Sequence, residues 1–142
     1  MSGTAVIEFA FEEMRGAKCA LRALAAAEFG LKSDGFVSYF VNDDGMFDWI
    51  SVKVGVDRVS EEMDAAWNRG VVSGIVIKMP HSERGGELLF FPDRSVISFS
   101  ATVDRKQISG SGIFTDLGWY CGFMVPALEP LGLIEVNSSD LA

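Results

Sequence analysis

Two turn signatures constrain this chain most. Asn42-Asp43-Asp44-Gly45 separates the strand-like runs 36–41 and 46–54, and Pro92-Asp93-Arg94 separates 87–91 from 95–101. Asp and Gly tolerate the left-handed backbone of a tight turn, and Pro presets the φ of its first central residue. Each signature predicts a hairpin, and consecutive hairpins build an antiparallel sheet.

Around these turns the hydrophobic period changes. Thr4 to Phe11 alternates, with Ile7, Phe9 and Phe11 on one face and Glu8 on the other, as in a half-buried strand. Residues 12–29 switch to helical spacing, with Met14, Ala17, Leu21, Leu24 and Ala25 in one stripe and Gly30 as terminator. A second helix is predicted over 57–69, with Val59, Met63, Ala66 and Trp67 facing inward and Glu61, Glu62 and Asp64 toward the positive end of its dipole. Residues 71–79 form a β-branched strand. Thr115 is the predicted N-cap of a third helix, whose Leu117, Tyr120, Cys121, Met124 and Leu128 fall on one side. Pro126 should kink or interrupt that helix near Met124 and Val125. A last short strand is expected over 133–136 and a frayed tail from about 137.

These elements predict one α+β domain over residues 1–142. Its sheet is mostly antiparallel, with about six or seven strands and about three helices. A domain of this length buries roughly 68–70% of the surface its unfolded chain exposes. With 49% hydrophobic residues, it needs no metal or disulfide to fold. Its two cysteines, Cys19 and Cys121, lie far apart in predicted helices and read as buried free thiols suited to a reducing compartment.

The net charge of −8 leaves no basic footprint for nucleic acid and disfavours anionic membranes. The first four residues lack the basic and apolar regions of a signal peptide, and the longest uncharged run, 117–128, is too short to span a bilayer. The expectation is a cytoplasmic protein with no nucleic-acid or membrane partner.

Catalytic chemistry has few candidates. His81 is the lone histidine, no G-x-S-x-G elbow is present, and the polar surroundings of His81 read as a solvated loop. Asp43, Asp44 and Asp48 cluster at a turn but lack calcium-loop spacing. Gly110-Ser111-Gly112 has no following lysine to make a phosphate cradle. Glu12-Glu13 and Glu61-Glu62 are adjacent, so on a helix each pair diverges by about 100°. No catalytic residue, metal site or cofactor is predicted.

Two features suit binding. From Asp43 to Asp64 there are seven acids and two bases, −5 of the total −8, which would attract a basic partner. The third helix is apolar all round, with Trp119 and Phe123 lying off its inward stripe: it is either central to the core, the more common outcome, or presents these aromatics as interface anchors. The predicted partner-binding residues are Asp43, Asp44, Asp48, Glu61, Glu62, Asp64, Trp119 and Phe123, forming one combined surface.

The runs 70–77 (Gly-Val-Val-Ser-Gly-Ile-Val-Ile) and 87–94 (Glu-Leu-Leu-Phe-Phe-Pro-Asp-Arg), followed by Ile97-Ser98-Phe99-Ser100 and Asp116-Leu117-Gly118-Trp119-Tyr120, carry a family likeness. In this stretch the chain resembles small immunity proteins of bacterial polymorphic-toxin and type VI secretion systems. The resemblance implies a cytoplasmic, non-enzymatic protein that binds and neutralises one cognate toxin or effector, and the acidic segment adds the expectation that this partner offers a basic surface. It carries over no site residues. Two other readings stand beside it: a carboxylate- or metal-dependent enzyme using Asp43, Asp44 or Asp48, and a self-assembling subunit joined through the third helix.

Overall fold

The structure is a computed structural model that describes residues 4–43 and 45–142. Seven strands form one sheet: β1 (Thr4–Phe11), β2 (Val37–Val41), β3 (Ile50–Val52), β4 (Ser73–Lys78), β5 (Gly85–Phe91), β6 (Val96–Val103) and β7 (Leu133–Leu141). Their order is β3-β2-β4-β5-β6-β1-β7, with every neighbouring pair antiparallel. Three helices interrupt them: α1 (Ala17–Ala26), α2 (Val56–Asn68) and α3 (Leu117–Leu128). The α+β class follows directly.

The alternation of β1 is realised in packing. Ile7, Phe9 and Phe11 are buried with Ile75, Ile77, Leu88, Phe90, Ile97 and Phe99 from the neighbouring strands. Leu21 and Leu24 of α1, Val59 and Met63 of α2, and Tyr120, Met124 and Leu128 of α3 close the same core. Fully burying a side chain of this size is worth about 1.5–3 kcal/mol. The helices therefore cover one sheet face. Helix α2 lies against β2 and β4, and α1 contacts both α2 and α3. The Tyr120 ring of α3 packs on Phe99 of β6, 5.5 Å between centroids.

The other face carries no helix. Strand alternation places Val6, Glu8, Val76, Glu87, Leu89, Ser98 and Ser100 there. Phe40 also points to this side, and Gly74 makes room for it. A Cβ at Gly74 would lie 2.4 Å from the Phe40 ring and 2.7 Å from a Leu89 methyl.

Four expectations change. The Asn42–Gly45 turn does not close a tight hairpin, because β3 begins only at Ile50. Phe47 and Trp49 leave the ladder and pack on Phe40. The segment expected to fray from about 137 continues β7 to Leu141, paired with β1 along its length. Asp140 anchors it by accepting from the Thr115 N–H at 2.5 Å. Helix α3 is capped by Asp116 rather than Thr115, and it runs through Pro126 to Leu128. The thiols Cys19 and Cys121 are half-buried rather than buried.

Candidate functional site

The acidic residues of α2 are engaged within the chain. The Lys18 ammonium of α1 pairs with Glu61, which holds the Glu61 carboxyl below its ordinary range. Asp64 accepts the Lys18 backbone N–H at 3.1 Å, so α2 caps the open start of α1 from outside. That contact needs Gly16, where a Cβ would lie 2.2 Å from the Asp64 carboxylate. Glu62 accepts the Tyr39 hydroxyl at 2.6 Å. Burial, and then that hydrogen bond, push the Tyr39 phenol up to about 12, so it remains a donor across the physiological range.

The β2–β3 loop is arranged differently. Asp43 is bridged by Arg69 at 2.7 and 2.9 Å, and both side chains are largely exposed. Asp44 lies outside the described residues. Asp48 is exposed, and no basic side chain pairs with it among the described residues. Beside it the chain builds a lobe of aromatic groups. Phe47 stacks on Phe40 at 4.8 Å, and Trp49 meets the same ring edge-on at 4.7 Å. Such pairs contribute about 0.5–1.5 kcal/mol beyond area burial, enough to hold the loop in a preferred shape. Phe47 nonetheless leaves 49% of its surface in water and its chain neighbour Met46 is exposed, while Ile50, paired with Tyr39, is exposed on the helix side of the sheet edge.

The chain matches no family model, no characterised protein and no solved structure.

Trp119 and Phe123 lie elsewhere. Trp119 is half-buried between Tyr120 and Phe123, both edge-on to it at 4.9 and 5.2 Å, with the Lys106 ammonium 5.8 Å from its ring. Lys106 also bonds Asp116 at 2.9 Å. That bond, then the Trp119 N–H, keeps the Asp116 carboxyl below its usual range. Phe123 is exposed. Helix α1 stands between α2 and α3, so the fold separates these aromatics from the acidic segment instead of joining them in one surface.

Met46, Phe47 and Ile50 were absent from the sequence-derived candidates because 46–54 read as a strand. The adjacent pair Met46-Phe47 breaks alternation, and that was the available signal. Catalytic geometry has little material among the described residues. His81 sits on a turn with its Nε2 2.9 Å from Glu28, and no three His, Cys, Asp or Glu side chains gather in one place.

Proposed function

We propose that this chain is a non-catalytic binding protein, an immunity protein that neutralises a cognate bacterial toxin or effector. The β2–β3 lobe is its principal grip. One observation carries this reading: Phe47 stands exposed on the Phe40 ring, flanked in the chain by the exposed Met46 and by Asp48, whose carboxylate no basic side chain pairs among the described residues. Interfaces draw most of their energy from a few apolar anchors, while neighbouring charge steers approach and selects the partner. An exposed Phe beside a carboxylate suits a basic surface with an apolar pocket. Lys18 offsets Glu61, Arg69 offsets Asp43, and Glu62 and Asp64 are held by hydrogen bonds within the chain, which leaves Asp48 and Asp57 as the carboxylates of this segment with no such partner among the described residues.

The test is capture from a lysate of the source organism on immobilised protein, run beside a Phe47→Ala/Asp48→Lys variant. The expected result is a near-stoichiometric partner that the wild type retains and the variant loses, with both proteins equally folded by circular dichroism. Equal retention by the two would remove the lobe from the interface. A well-folded wild-type bait that retains no partner would leave the immunity reading without support.

A further inference from the structure

The two edges of the sheet differ sharply. Strand β3 offers three residues, and a short edge resists pairing with another chain. Strand β7 offers nine, Leu133–Leu141, and β1 occupies only one side of it. It contains no Lys and no Pro, the residues that commonly blunt an edge. Ile134 and Leu141 leave 65% and 67% of their surface in water. A long bare edge with exposed apolar side chains is a template for another strand.

Charge selects which strand. A second copy carries the same −8 and will be repelled wherever acids gather. Residues 117–142 are the exception, with Glu129, Glu135 and Asp140 their only charged groups. Asp140 already serves its own chain, holding the Thr115 N–H and lying 3.9 Å from Arg105. A copy of this chain can therefore approach β7 with least repulsion, whereas a basic partner gains little there.

The sequence of β7 also complements itself. Antiparallel pairing about an axis through Asn137 is the register that uses all nine residues. Leu133 then faces Leu141, Ile134 faces Asp140, Glu135 faces Ser139 and Val136 faces Ser138. No carboxylate opposes another. A one-residue slip in either direction would turn the helix-side residues toward the wrong face, and in one direction it would also set Glu135 against Asp140. We infer that the chain forms a two-fold homodimer through β7, joining two seven-stranded sheets edge to edge with Asn137 on the axis.

The experiment is light scattering on the purified full chain and on two variants at that axis. Wild type is expected at about twice the 15.4 kDa of the chain. Asn137→Lys sets two ammonium groups face to face across the axis but meets Glu8 within its own chain, so it should stay folded and become monomeric. Asn137→Glu should also be monomeric, and mixing the two variants should restore the dimer as a heterodimer detectable by native mass spectrometry. A monomeric wild type overturns the inference, as does a dimer that persists in folded Asn137→Lys. Failure of the folded variants to recombine contradicts the Asn137 axis. A wild-type dimer abolished by either charge but restored by their mixture excludes pairing with an unrelated strand.

Discussion

At one end of the sheet, the β2–β3 loop and α2 carry a dense set of acids; at the other, residues 117–142 carry three and no base. The acidic end spends much of its charge internally, as Lys18 holds Glu61, Arg69 holds Asp43 and Asp64 caps α1. The sparsely charged end is held by packing, with Tyr120, Met124 and Leu128 on the inner side of α3 fully buried. Formal charge therefore overstates how much an acidic segment offers a partner. What counts is the carboxylate left without a cation, and among the described residues Asp48, beside the exposed Phe47, is one such group.

Substitutions should separate the two ends by size of effect. Tyr120 is the largest fully buried side chain, so Tyr120→Ala is expected to lose about 3–5 kcal/mol in denaturant unfolding. Tyr120→Phe should lose less, about 1–3 kcal/mol, because the Lys106 N–H then lacks the hydroxyl that accepts it at 2.9 Å. Losses below 1 kcal/mol in both would break the contrast between a packed end and a charged end. At the acidic end, Asp64→Ala should cost about 1 kcal/mol by uncapping α1. Faster amide exchange at the start of α1 would accompany it. Arg69→Ala removes an exposed pair and should cost under about 1 kcal/mol, with the difference shrinking further in high salt.

The pH responses should differ as well. Asp116 titrates below its ordinary range in the folded protein. Its contribution is therefore present above the unfolded carboxylate pKa and is lost as pH falls through the depressed folded value. Trp119 fluorescence should report that loss on the acid side, and Asp116→Asn should remove the step. Tyr39 is raised, so its contribution is intact below the unfolded tyrosine pKa and is lost as pH rises through about 12. In Tyr120→Phe, where Tyr39 is the only remaining tyrosine, tyrosinate absorbance should rise with a midpoint near 12. A midpoint at the ordinary value would mean that Tyr39 is neither buried nor held by Glu62.

Much of the scaffold was legible because local pattern and tertiary role agree. The alternation of Ile7, Phe9 and Phe11 and the stripe of Val59, Met63 and Ala66 each point to the face that is buried. The β2–β3 loop was not legible, since Phe47 and Trp49 are drawn off the ladder by Phe40 through a tertiary contact that no local rule contains. The strand past Asn137 was hidden by its polar run Asn-Ser-Ser-Asp, which becomes β7 only because β1 pairs with it and Asp140 reaches Thr115. The candidate site suffered most. Lys18 and Glu61 are 43 positions apart, so their neutralisation is invisible in a local count of charge.

Hydrogen–deuterium exchange on the protein alone and with its captured partner tests the binding surface most directly. Protection concentrated at residues 45–52, with α1 and α3 unchanged, is the expected result. Protection confined to the α1 and α3 helices, with the β2–β3 lobe exchanging as in the free protein, would contradict it.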